Sequence, residues 1–95
     1  MVEGTFIVKA RLGLHARAAA RLVRVANRFN SNLRLERSDG GATADAKSIL
    51  SVLMLAASCG TELRMVAEGV DEQQAITEMG KLFAASFEEI ESGAQ

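Results

Sequence analysis

Gly13-Leu14-His15-Ala16-Arg17-Ala18-Ala19 joins a strand-like segment to a helix-like one. Upstream, Thr5-Phe6-Ile7-Val8-Lys9-Ala10 is rich in β-branched and aromatic residues, and alternation puts Phe6, Val8 and Ala10 on one face. Arg11 to Leu14 connects, turning at Gly13. Downstream, Ala19, Leu22, Val23, Ala26 and Phe29 recur at helical spacing, which predicts a helix from Ala16 to about Phe29. Arg17, Arg21, Arg24 and Arg28 form a second stripe along it. His15, the only histidine, falls at the helix start. Backbone N–H groups there lack partners and the helix dipole is positive, so the position suits a phosphate. Arg17 adds a planar cationic fork for phosphoryl oxygens. Imidazole ordinarily titrates near neutrality and so offers a neutral, nucleophilic nitrogen. The combination points to a histidine that carries a phosphoryl group. A histidine that merely caps the helix or meets solvent is the plainer alternative.

Beyond the first helix, Leu33-Arg34-Leu35-Glu36-Arg37 alternates as a half-buried strand. Ser38-Asp39-Gly40-Gly41 turns, and Ala42 to Asp45 returns as a short strand, completing a hairpin. Lys47 to Leu55 reads as a short helix that is apolar around much of its circumference. Such a helix cannot bury every side, so Ile49, Leu50 and Leu53 are candidates to face solvent or a partner. Gly60 is its expected stop. Glu62 to Glu68 is a strand with Leu63, Met65 and Ala67 inward. Asp71 and Gln74 suggest a capping box for a last helix with the stripe Ala75, Ile76, Met79, Leu82, Phe83 and Phe87, and Glu91 to Gln95 reads as frayed. The expected fold class is α+β: an open-faced sandwich, a four-stranded, mostly antiparallel sheet with three helices on one face. Residues 1–95 are expected to form a single domain.

Composition narrows the chemistry. Cys59 is the single cysteine, which rules out an internal disulfide and fits a reducing cytoplasm. One Cys and one His cannot supply the usual ligands of a zinc site, so no metal is expected. No apolar run is long enough to span a membrane, and Met1-Val2-Glu3-Gly4 lacks the features of a secretory signal. Net charge is −1, yet residues 1–37 carry eight Lys/Arg against Glu3 and Glu36. The positive part contains His15. A nucleic-acid-binding module using the arginine stripe is a rival reading, opposed by overall acidity and the absence of Tyr and Trp. A small ligand-binding regulatory domain is a second rival, but no binding loop is evident.

Two local motifs, with this order of elements, resemble the HPr family, the histidine-containing phosphocarriers of the bacterial phosphoenolpyruvate-dependent phosphotransferase system. One is Gly13-Leu14-His15-Ala16-Arg17, opening the first helix; the other is Ala46-Lys47-Ser48-Ile49-Leu50, opening the middle helix. The likeness runs from about Thr5 to Phe87. It implies an HPr-like fold and a relay protein rather than a stand-alone enzyme. By resemblance, His15 accepts a phosphoryl group on Nδ1 from enzyme I and passes it to enzyme IIA-type proteins in sugar uptake or its regulation. Arg17 would stabilise that group. Ser48 matches the serine phosphorylated by HPr kinase/phosphorylase in many bacteria. Ile49, Leu50 and Leu53 match the apolar docking surface, with Arg21, Arg24 and Lys47 as its basic surroundings. The resemblance implies no cofactor, no nucleic acid, no membrane insertion, a cytoplasmic location and a monomer. Ala18 stands where proline is usual, and the turn at Asp39-Gly40-Gly41 is slightly long. Leu53-Met54-Leu55-Ala56-Ala57 and the acidic tail after Phe87 are more similar to the nitrogen-related branch.

Overall fold

Alternation in the strand Glu62–Glu68 organises the molecule: Leu63, Met65 and Ala67 are fully buried while Arg64 points the other way. A computed structural model describes residues 1–87. The elements run β1 (Val2–Ile7), α1 (Ala16–Ala26), β2 (Asn32–Arg37), β3 (Thr43–Asp45), α2 (Ile49–Met54), β4 (Glu62–Glu68) and α3 (Glu72–Ala84). The sheet has the order β1-β4-β2-β3. Every pairing is antiparallel. The fold is thus an α+β open-faced sandwich, a four-stranded antiparallel sheet with three helices. Leu22, Leu35, Leu55, Leu63, Met65, Met79 and Phe83 form the heart of the core between sheet and helices. Truncating any one of these leucines to Ala should cost ~2–5 kcal/mol, the usual range for a large-to-small core change. Phe6 stacks on Phe83, which meets Phe87 edge-on.

The uncovered face carries ion pairs in place of apolar side chains. Arg64 on β4 bonds Glu36 on β2 and Glu3 on β1, and Arg34 also bonds Glu36. Val66 is buried on this face, its register partners Glu3 and Arg34 belonging to the same network.

Several boundaries differ from the sequence reading. β1 begins at Val2 and ends at Ile7, because its pairing with β4 runs from Val2↔Ala67 to Ile7↔Glu62. α1 stops at Ala26: Arg28 and Phe29 bond three residues back, tightening the last turn, although Phe29 is buried as expected. α2 does not run to Gly60. It ends at Met54, with Ala56 at φ 51 and the Arg37 guanidinium donating to the carbonyls of Leu55 and Ala56. Asp71 makes no side-chain cap bond to α3, so the Asp71–Gln74 box does not form. Its carboxylate instead accepts from the backbone N–H groups of Asn30 and Ser31 and from the Ser31 hydroxyl. These bonds, the Ser31 hydroxyl first, hold the Asp71 carboxyl below its ordinary range. Ser31 is the one fully buried polar side chain among the described residues. Glu91 to Gln95 and the acidic tail lie outside the described residues.

α3 closes with a Schellman motif built without glycine. Ser86 N–H donates to Phe83 O and Phe87 N–H to Leu82 O. Ser86 and Phe87 sit at φ 57 and 64, a region that non-glycine residues rarely adopt. Phe87 is nearly buried and its contact with Phe83 holds this ending in place.

Candidate functional site

Gly13 fixes how the candidate histidine is presented. It sits at φ +73, and a Cβ there would lie 2.6 Å from the Ala57 carbonyl oxygen. Only glycine lets the loop approach the 57–58 backbone so closely. The next residue, Leu14, is buried and donates its N–H to that same oxygen at 2.8 Å. His15 then follows as the N-cap of α1 in extended conformation, half-buried. Its Nδ1 accepts from the Arg17 N–H at 3.3 Å. The neutral ring therefore carries its proton on Nε2 and turns its lone pair on Nδ1 toward the helix end. His15 O accepts from Ala19 N–H at 2.8 Å. The N–H groups of Ala16 and Ala18 have no acceptor among the described residues. The helix end thus holds unsatisfied donors beside a nucleophilic nitrogen. Ala18 is buried, and the cap uses the Arg17 N–H, not that of Ala18.

An open depression adjoins the ring, lined by Lys9, Ala10, Arg11, Leu12, His15 and Ser86. Arg17 and Arg11 are exposed. Arg21 is half-buried and Arg24 exposed, both following Arg17 along α1.

Ser48 is the N-cap of α2, its Oγ accepting from Ser51 N–H at 3.4 Å. Behind it Leu50 is 70% exposed, and Ile49 and Leu53 are exposed to lesser degrees. Met54, 78% exposed, and Leu12 extend the list of bared apolar side chains. Lys47 is half-buried, and its ammonium donates to the Phe29 carbonyl at 2.7 Å, tying the start of α2 to the end of α1. No group of metal-ligating side chains exists among the described residues.

Comparison with known proteins decides what this arrangement belongs to. The family defined as "PTS HPr component phosphorylation site" matches residues 2–85. The chain belongs to the HPr family of phosphocarriers. It is 45% identical over 89 residues to the phosphocarrier protein HPr of Treponema pallidum, covering 94% of this chain and 99% of that protein. It is 39% identical over 82 residues to the phosphocarrier protein NPr of Proteus mirabilis, covering 86% and 90%. The HPr structure from Thermoanaerobacter tengcongensis superposes with a TM-score of 0.86 at 38% identity, covering 94% of this chain and 99% of that one. An HPr dimer has also been solved from that organism, so a monomer is not a family rule.

Within this HPr-family fold, the histidine at the helix start and the exposed apolar helix were both legible from local spacing. Met54 lies four residues after Leu50, on the same side of α2, and that spacing is the signal that marks it as part of the exposed face. Ser86 carried no sequence signal, because only the tertiary fold brings residue 86 to the His15 depression.

Proposed function

We propose that His15 is the phosphoryl carrier: it takes the group on Nδ1 from phosphorylated enzyme I and passes it to enzyme IIA-type proteins of sugar uptake or its regulation. The observation that carries this is the cap itself, a lone histidine whose Nδ1 lone pair rests on a helix-end N–H. In the transfer, the bond from phosphorus to the donor breaks as the Nδ1–P bond forms. The donor atom keeps the electron pair, and the ring proton stays on Nε2. The Arg17 N–H, released from Nδ1, turns to a phosphoryl oxygen, and the guanidinium of Arg17 stabilises the charge spread over the others. The open surroundings suit a carrier whose site each partner completes. The exposed Ile49, Leu50 and Leu53 give that partner an apolar seat, with Arg21, Arg24 and Lys47 around it. Residues 1–95 act as one phosphocarrier domain in the cytoplasm.

Ser48 is the proposed regulatory position, open to an HPr kinase. A phosphate there would sit at the start of α2 yet add about −1.5 to −2 charges beside the apolar seat. A nitrogen-branch regulatory role is the second reading, supported by the likeness to the Proteus NPr. Incubation with phosphoenolpyruvate and enzyme I should label the chain with an acid-labile, alkali-stable phosphate. His15→Ala should fold normally and take no label, and labelling of that variant would overturn the assignment. Transfer to sugar-branch against nitrogen-branch IIA proteins separates the two readings.

A further inference from the structure

At least five of the eleven Lys and Arg side chains are held in place by partners of their own. Arg34, Arg37 and Arg64 bond carboxylates, Lys47 bonds a carbonyl and Lys81 pairs with Glu78. Lys9, Arg11, Arg17 and Arg28 make no ion pair or side-chain hydrogen bond among the described residues. Lys9 and Arg11 line the depression that His15 shares, and Arg17 follows two residues on. Among the described residues, no carboxylate lines that depression. Ser86 also lines it, and its hydroxyl has no partner among the described residues. The αL backbone at Ser86 and Phe87 is set by the Schellman ending, and strained backbone of this kind concentrates at functional sites.

A transferring phosphoryl group spreads its charge over three equatorial oxygens. The helix end and Arg17 can meet those turned toward α1, which leaves the oxygens turned toward the depression. We propose that Arg11 is a second phosphoryl-contacting residue, meeting those remaining oxygens, with Lys9 and Ser86 completing an anion-accepting rim. This rests on the reading that His15 carries the group. Arg11 supplies a permanently charged, bidentate fork from the loop, as Arg17 does from the helix. The Ser86 hydroxyl donates one neutral hydrogen bond from the α3 end of the same depression.

The test uses the full chain, enzyme I and phosphoenolpyruvate. His15→Ala is run first. If it still takes label, the carrier reading has failed, whatever Arg11 does. With His15 established, Arg11→Ala should slow single-turnover transfer at saturating enzyme I about tenfold. That is less than the ~10²–10³ seen on removing an enclosed oxyanion donor, because the depression is open to water. Arg11→Lys should recover part of the rate, and Arg28→Ala, which removes the same charge elsewhere, should stay within about twofold. The ³¹P resonance of the phosphohistidine should move in Arg11→Ala and stay in Arg28→Ala. Ser86→Ala should slow transfer about two- to threefold, an independent check if Arg11→Ala folds poorly. Equal rates for Arg11→Ala and Arg28→Ala would overturn the proposal. So would a loss confined to KM and shared by Arg28→Ala at low salt, since that is general steering and not contact.

Discussion

On the open face of the sheet, Arg64 is held between Glu36 and Glu3, and Arg34 leans on the same Glu36. Beside His15, Lys9 and Arg11 line one depression and Arg17 follows on α1, with no carboxylate to answer them among the described residues. The arginines of the sheet face are paired. Arg64, then Arg34, holds the Glu36 carboxyl below its usual range, and Glu36 in turn raises Arg64. Cations neutralised in this way have little field to offer a visiting anion, whereas an unanswered cluster attracts one. Identical side chains are thus paired in one place and left without acids in the other, and what differs is the supply of carboxylates among the described residues nearby.

The largest test of that contrast is Arg17→Ala. Loss of its contact with developing phosphoryl charge should slow transfer tens- to hundreds-fold, on the scale of ~2–4 kcal/mol of barrier for one charge-assisted donor. Rapid-quench transfer from phosphorylated enzyme I measures it. An unchanged rate would leave the backbone N–H groups as the whole of the anion site and break the comparison.

Ser48→Asp sharpens it by adding an acid where none belongs. The variant should keep its fold, because an aspartate caps a helix start as well as serine does. It should raise KM for enzyme I about tenfold by placing negative charge on the docking face. Kinetics equal to the wild type would show that charge at α2 does not regulate docking.

Ala18→Pro tests whether the His15 pole is held loosely. The Ala18 N–H takes no part in the cap, so a proline costs no hydrogen bond there. Stability should rise by ~0.4–1 kcal/mol through a less flexible unfolded chain, with transfer preserved. A lower thermal midpoint with lost transfer would mean that the buried Ala18 has no room for the ring.

The smallest effect on transfer belongs to Arg64→Ala, expected within about twofold of wild type. Its stability effect should depend on pH. The folded pKa of Glu36 lies below its unfolded value near 4.5. Its ion pair therefore contributes above that value and fades as pH falls through the folded pKa. The thermal midpoint of Arg64→Ala should lie below wild type at pH 7 and approach it in acid, as the pH falls through the folded pKa of Glu36. A gap that persists into strong acid would place the effect in packing around Val66, not in the charges.

Much of this was readable beforehand, and the reason is local. The period-2 runs at Leu33–Arg37 and Glu62–Glu68 point their apolar residues inward without help from distant chain. The misreadings fell at ends. Gly60 looked like the stop of α2, but Arg37, far away in sequence, caps the carbonyls at Leu55 and Ala56. Asp71 looked like a helix cap, but Ser31 and Asn30 claim its carboxylate from across the fold.

What the sequence by itself determined is the order of elements, the covered face of each strand and the placing of His15 at a helix start, all set by spacings within a dozen residues. The tertiary structure alone decided which charges are paired among the described residues. It also decided that Ser86, 71 positions from His15, shares its depression. Pairing of charges and closure of a depression depend on distances between elements, and those exist only once Gly13 has met Ala57 and Phe87 has met Phe83.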